Sequence, residues 1–357
     1  MRETDAESNS QFEERKRDHI AFALKQENEA VGRSGLDRVQ LIHEALPELN
    51  FSEISLTANS LGEETRTPFL VSSMTGGHSS STKINHRLAK ACAERGWWMG
   101  VGSQRRELHD LTARNEWRSI RKNLPGVVLL GNLGIAQVIQ TDIATVEALI
   151  ENLEAKAMIV HLNGLQECLQ VEGTPQFAGG LAKLGELTKR LSVPVIVKET
   201  GCGISRTTAR RLIEVGVSAI DVSGLGGTHW GRIEGARAPS GSIQEMAART
   251  FADWGIGTVE AVHQVTEACD EFTGRARTEV WASGGVRSGL DAAKLMALGA
   301  TRVGFAKPIL EAAVQSEKDL HNRMELIEYE FKVALFCTGS RGVNELRRGR
   351  HVSRKDV

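Results

Sequence analysis

The chain has 357 residues, 41% of them hydrophobic and 25% charged, with a formal net charge of −1 and a sequence pI near 6.8. That is the makeup of one large globular domain or two ordinary ones. It offers no bulk field for nucleic acid or an anionic membrane, and no run of about 20 apolar residues to span a bilayer. Five cysteines (Cys92, Cys168, Cys202, Cys269 and Cys337) are scattered and never at CxxC spacing, which argues against a disulfide framework or a structural zinc site.

Residues 1–14 are polar and mixed in charge, without the apolar core of a secretory signal. They are expected to be disordered, and the protein to be cytoplasmic. Residues 15–30 (RKRDHIAFALKQENEA) read as a short helix and open an N-terminal extension over 15–67. From Pro68 a cadence sets in. Short apolar runs, expected as buried strands, occur at 68–74, 98–102, 127–131, 157–161, 194–199, 219–223, 279–283 and 302–306. Helical stretches such as 83–95, 205–215 and 288–299 lie between them. Strand alternating with helix implies right-handed βαβ units and a parallel sheet. Eight such units in an α/β chain predict a (β/α)8 TIM barrel over 68–347. The alternative, a doubly wound sheet, lacks its GxGxxG fingerprint where the first unit begins. Residues 348–357 form a basic tail, expected to be solvated.

The polar clusters share one place. SSMTGG, GSQR, GNLG, HLNGLQE, KETGCGIS, SGLGGTHW, SGGVRSG and AKP follow the eight expected strands in turn. That is the face on which such barrels carry their sites. In SGGVRSG the glycines let backbone N–H groups approach an anion, a helix follows, and Arg287 adds a charged fork. With Ala306 and Lys307 at the end of the last strand, this favours phosphate over a plain Ser288 helix cap. Ser223 and Thr228 supply hydroxyls on a second Gly-rich loop. Lys198 ends an apolar strand, where a lone cation is costly, and points to a cofactor role rather than a structural pair with Glu199 or Asp221. Main-chain atoms at Met74 and Thr75 suit the edge of a flat heterocycle. Glu167 either holds Mg²⁺ together with substrate phosphates or stabilises a helix N-terminus; spacing leaves both open. Cys202 in its Gly-rich turn is weak evidence for a nucleophile. The residues by themselves give a barrel with a flat, phosphate-bearing cofactor and a second anionic ligand, and leave the reaction open.

Taken together, RKRDHI, SSMTGG, MGVGSQR, NLG, HLNGLQE, VKETGCGIS, SGLGGTHW, SGGVRSGLDAAKLMALGA and a late TGS resemble the type 2, FMN-dependent isopentenyl-diphosphate isomerases. The likeness runs from Arg15 to Arg347. It implies interconversion of isopentenyl and dimethylallyl diphosphate, with FMN in its reduced form, NADPH as reductant and Mg²⁺. It implies FMN against Ser73, Met74, Thr75, Gly76, Ser103, Asn132, Lys198, Ser223 and Thr228, with its phosphate on Gly285, Val286, Arg287, Ala306 and Lys307. The substrate diphosphate is implied to meet Arg15, Lys16, His19, Ser103, Arg105, His161 and Asn163. Gln166, with Trp230 and Glu234, is implied near the reacting carbons, and Glu167 on the metal. The family also implies a homo-oligomer, tetramer or octamer, and neither a nucleic-acid partner nor a membrane. Two positions depart from the pattern: Lys307 stands where an apolar or small residue is usual, and Gly131 replaces an Ala before Asn132.

Two rivals are weighed. An FMN oxidoreductase of the 2-hydroxy-acid oxidase type resembles this chain around the fifth and sixth strands and carries its catalytic base in an SNHGGRQ-like motif. Here SGLGGTH places Leu225 at the His position and Thr228 at the Arg position, and His229 is shifted. A non-catalytic flavin sensor has no need of Arg15, Lys16, Gln166 and Glu167.

Overall fold

The apolar runs become strands because each divides its side chains between two apolar surroundings. In a computed structural model described over residues 9–74, 81–272, 278–349 and 352–354, each expected run holds one strand. These are β1 Phe69–Val71, β2 Trp98–Gly100, β3 Val128–Gly134, β4 Met158–Leu162, β5 Val195–Glu199, β6 Ala219–Asp221, β7 Glu279–Ala282 and β8 Arg302–Phe305. All pair in parallel in sequence order, and β8 pairs with β1 to close the barrel. The expected helices appear as Ser81–Arg95, Arg206–Glu214 and Gly289–Ala297.

Successive strand residues face opposite ways. Phe69 and Val71 pack outward against the helical layer, and Leu70 belongs to a separate inner cluster with Trp98, Leu130, Ile159, Ile196, Ala219 and Trp281. Two residues further along the strands, the next inward positions are Ser72, Gly100, Asn132, His161, Lys198, Asp221 and Ser283, with Gly304 two past Arg302. An apolar layer thus lies beneath a layer of polar side chains and glycines, at the C-terminal end of the barrel.

The other end is plugged. Arg302 is fully buried, with its guanidinium 3.7 Å from the Trp98 ring centroid and 5.6 Å from that of Trp281. A hairpin of Ala58–Ser60 and Glu63–Thr65 adds hydroxyls from Ser60 and Thr65, and Phe69 O accepts from Arg302 at 3.0 Å. Glu279 supplies the counter-charge. It accepts from Ser60 Oγ, Leu61 N and Trp281 Nε1 at 2.7, 2.6 and 2.8 Å. Burial lowers the Arg302 pKa to about 9, against the pull of Glu279.

Both termini depart from expectation. The helix covers Asn9–Ala23, so part of the stretch expected to be disordered is helical, and the helix stops before residue 30. Arg15 and His19, four apart and both 6% exposed, put one polar stripe against the barrel. The chain then leaves the helix because Asn28 and Ala30 pair with the loop after β6, through His229 N to Asn28 O and Ala30 N to Gly227 O, both 2.9 Å. The basic tail is not simply solvated: Val352–Arg354 pairs antiparallel with Val39–Leu41. Among the described residues no helix is long and apolar enough to cross a membrane.

Truncating Glu279 leaves the Arg302 charge buried without its counter-ion. Glu279→Ala is expected to cost about 3–5 kcal/mol of unfolding free energy, read by guanidinium denaturation. A loss below about 1 kcal/mol would mean that the two indole rings and backbone carbonyls hold the cation by themselves.

Candidate active site

A cleft of about 380 Å³ opens over the polar layer, within the range of small-molecule sites. One end is built of backbone. Gly285 has φ +70, and a Cβ on it would lie 2.4 Å from Gly226 O; a Cβ on Gly227 would lie 2.6 Å from Gly285 N. The loops after β6 and β7 therefore touch main chain to main chain, which only glycine allows. Among the described residues the N–H groups of Gly285 and Val286 have no acceptor. Ser288 does cap the following helix, in a capping box with Asp291, which also accepts from Arg287 N at 3.0 Å. The cap and the free N–H pair coexist, one residue apart. Ala306 precedes the helix Lys307–Gln315, whose N-terminus lines the same end. Arg287 and Lys307 both reach Glu29, a residue that sequence reasoning missed.

The middle of the cleft is the polar layer itself. Lys198 donates to Glu199 O at 2.6 Å and Ser223 Oγ at 3.0 Å, and stands 3.9 Å from Asp221 Oδ2. Lys198 thus lines the cleft and also has Asp221, its suspected structural partner, within reach. Ser223 is held at φ +36, uncommon outside glycine, with its N–H 3.3 Å from Asp221 Oδ1. Among the described residues Ser72 Oγ and Ser73 Oγ are buried without a partner. Met74, Ser103 and Thr228 also line the cleft; Thr75 and Gly76 lie outside the described residues. Asn132 donates from its amide nitrogen to Val101 O at 3.1 Å and accepts at Oδ1 from His161 Nδ1 at 2.9 Å, so it orients His161 as well as facing the cleft. Glu199, at the top of β5, accepts three backbone N–H bonds from Thr200, Gly201 and Cys202. Burial and Glu199 push the Cys202 thiol up to about 12, which removes it as a nucleophile.

At the far end the N-terminal helix brings Arg15, Lys16 and His19 over the cleft. Glu234, 1% exposed, sits one layer behind and organises them. It accepts from His19 Nε2 at 3.0 Å, Gln166 Nε2 at 2.9 Å and Arg237 Nη1 at 2.6 Å. In the orientation that satisfies both ends of its amide, Gln170 donates to Glu234 Oε1 at 3.2 Å and accepts from Arg15 Nη1 at 3.0 Å. Gln170 was also missed, although it stands four residues after Gln166 and so on its side of a helical turn. Burial would raise the Glu234 pKa, but the His19 hydrogen bond and the charges of His19 and Arg237 hold it down to about 2. Trp230 meets His19 edge-on, with ring centroids 5.0 Å apart. His229, by contrast, is fully buried and bonded to Trp254 O at 3.1 Å, and does not reach the cleft.

Burial lowers His19 to about 4 and His161 to about 3, the latter aided by Lys198 and Lys16. Both are neutral at pH 7, so the charge for an anion comes from Arg15, Lys16 and Arg105, which all line the cleft. Glu167 is buried on the cleft wall. Its Oε1 accepts from Asn163 Nδ2 at 2.9 Å and its Oε2 from Thr174 N at 2.5 Å. A carboxylate has lone pairs beyond these two, and Asn163 Oδ1 is buried with no partner. These are hard oxygen donors, suited to Mg²⁺. Among the described residues no group of three or more His, Cys, Asp or Glu could hold a metal ion.

Residues 159–354 match the family described as FMN-dependent dehydrogenase. Isopentenyl-diphosphate delta-isomerase of Legionella pneumophila (strain Corby) is 52% identical over 338 residues, 95% of this chain and 97% of that one. The chain belongs to the isopentenyl-diphosphate delta-isomerase family. The enzyme of that name from Bdellovibrio bacteriovorus is 50% identical over 345 residues, 96% of this chain and 98% of that one, and the one from Halobacterium salinarum is 40% identical over 351 residues. Among solved structures, flavocytochrome b2 aligns with TM-score 0.69 at 17% identity over 98% of this chain and 87% of that one. Mandelate oxidase aligns with TM-score 0.64 at 18% identity over 95% of each. These structures share the FMN-enzyme barrel and, at that identity, only the fold. Leu225, 4% exposed and bonded through its N–H to Ile256 O, provides no base for hydroxy-acid oxidation.

The neutral histidines predict a pH dependence. An unfolded histidine takes up its proton near pH 6.5, whereas folded His19 and His161 stay neutral down to about 4 and about 3. Between these limits the unfolded state binds more protons at these two sites, so their contribution to stability falls as pH drops from 6.5 toward 4. Glu107 and Glu199, raised by burial to about 7, act in the opposite sense over the same window, so the histidine contribution is read by difference: His161→Gln should lose less in thermal midpoint than the parent between pH 6.5 and 4. An unchanged slope in the variant would show that His161 is protonated in the folded state.

Proposed function

We propose that the protein interconverts isopentenyl and dimethylallyl diphosphate in isoprenoid biosynthesis by an allylic proton shift that requires reduced FMN. The observation that carries the reading is the pairing of the cleft's two ends. A glycine-built anion cradle faces three cations and a fixed amide across a layer holding Lys198. The orphaned Ser72 and Ser73 hydroxyls and the free Gly285 and Val286 N–H groups fit a flavin with a phosphate tail. When bound, reduced FMN would supply a ring-nitrogen acid–base and an electron-rich face beside the alkene.

The chain's own part is to bind, orient and keep out water. Arg15, Lys16 and Arg105 take the diphosphate charge, with Ser103, His161 and Asn163 alongside. Glu167, with Asn163 Oδ1 beside it, would hold Mg²⁺, which would offset diphosphate charge. Glu234 fixes Gln166, whose Oε1 also accepts from Asn163 at 3.2 Å, so the amide cannot rotate freely beside the reacting carbons. Trp230 and His19 form an apolar edge for a hydrocarbon with cationic character in the transition state. NADPH as reductant, a cytoplasmic location and a homo-oligomer belong to the same proposal. Ile243, Met246 and Trp254, 76%, 54% and 59% exposed, offer apolar surface for the last of these.

Anaerobic incubation with isopentenyl diphosphate, FMN, NADPH and Mg²⁺ should give dimethylallyl diphosphate, and stripping the flavin should abolish it. In D₂O the product should carry deuterium; unlabelled product would sink the proton shift. Gln166→Ala should lower kcat by at least about a hundredfold. Glu167→Gln should raise the Mg²⁺ needed for half-maximal rate by about 10- to 100-fold, with flavin binding unchanged.

A further inference from the structure

Glu29 has no part in the reading above, yet its carboxylate stands in the cleft between the two cations of the phosphate end. Lys307 Nζ lies 2.5 Å from Glu29 Oε1 and Arg287 Nη2 lies 2.7 Å from Oε2, so each oxygen takes one cation. The side chains of Glu29 and Lys307 are both 11% exposed, which separates them from ordinary surface pairs. Burial opposes the charge on Glu29, and the hydrogen bonds from Lys307 and Arg287 outweigh it. Glu311 is the other carboxylate on Lys307, at 3.8 Å.

The backbone beneath Glu29 is fixed. Residue 29 bridges to Thr228, and its neighbours Asn28 and Ala30 bond to His229 and Gly227. The side chain can swing; the main chain cannot retreat. Around the same spot lie the free N–H groups of Gly285 and Val286 and the N-terminus of the helix Lys307–Gln315. A phosphate monoester there carries a charge of about −1.5 to −2 and needs the cations that Glu29 already holds. Two anions at hydrogen-bond range of the same cations repel.

We propose that Glu29 is the resident anion of the cofactor-phosphate site. It holds Arg287 and Lys307 in place until a phosphate ester displaces its side chain, and so sets how strongly the chain prefers phosphorylated to unphosphorylated flavin. The inference rests on the FMN reading of the cleft. Riboflavin lacks the phosphate and leaves the Glu29 pairs closed. FMN must open at least one of them. Glu29 therefore weakens FMN binding selectively. A carboxylate that merely clasped the extension to the barrel would act on both flavins alike.

The test is titration of the flavin-free full chain with FMN and with riboflavin, followed by quenching of flavin fluorescence, for the parent, Glu29→Gln and Glu29→Ala. Glu29→Gln should tighten FMN by about tenfold and move riboflavin by less than about twofold. Inorganic phosphate should raise the thermal midpoint of the variant more than that of the parent. The proposal is overturned if FMN affinity is unchanged or weaker in both variants, or if both flavins shift together. A parent chain that binds neither flavin fails the FMN reading itself, before any variant is compared, and takes this inference with it.

Discussion

A closed parallel barrel allows one inward side chain for every two residues of strand, and the rest of this molecule depends on that phase. The apolar layer of Leu70, Trp98, Leu130, Ile159, Ile196, Ala219 and Trp281 sets it. Each strand's next inward residue is then polar or glycine, and these residues arrive together at one end. A slip of one residue in β3, β4 or β5 would turn Asn132, His161 or Lys198 into the helical layer, where nothing solvates them. The floor has to be closed for the arrangement to serve a site, and Arg302 closes it with charge rather than bulk, wedged between two indoles and answered by Glu279.

Charge is sorted along the cleft by burial. The two histidines on the cleft are held neutral at pH 7 by burial, whereas Glu234, 1% exposed, stays ionised because His19, Gln166 and Arg237 all donate to it. Positive charge is left to side chains with long stems. Arg15 and Lys16 come from the N-terminal helix, Arg105 from the loop after β2, and Lys198 from the layer beneath. The anion-binding capacity is thus spread over segments far apart in the chain, and it is complete only when the extension is docked.

The barrel was legible because its signals are local: an apolar run of strand length, a glycine at its end, a polar cluster beyond. The candidate site residues from Ser73 to Lys307 that the structure describes line one cleft for the same reason, except Glu234, which stands behind it. The start of the N-terminal helix was not legible. Its buried stripe is Arg15 and His19, and a stripe that is buried by hydrogen bonds to Glu234 and Gln170 looks like a solvated one in sequence. The pairing of Val352–Arg354 with Val39–Leu41 runs through backbone groups and leaves no side-chain pattern. Glu29 gave no signal either, since its meaning comes from Arg287 and Lys307, which only the fold brings within reach. Glu167 sits in the first turn of a short helix, as one of its two readings has it, and also lines the cleft wall.

The anchor at Asn28–Ala30 has a kinetic side. It lies only a short link beyond Ala23, so the helix bearing Arg15 and Lys16 is tethered at an effective concentration on the order of millimolar or above. The cation pair does not have to be recruited from solution each time a diphosphate arrives. The same tether keeps Arg15, Lys16 and His19 over the cleft. Capture of an anion is favoured by local concentration, and the cost of placing the cations is met once, when the extension docks on the barrel.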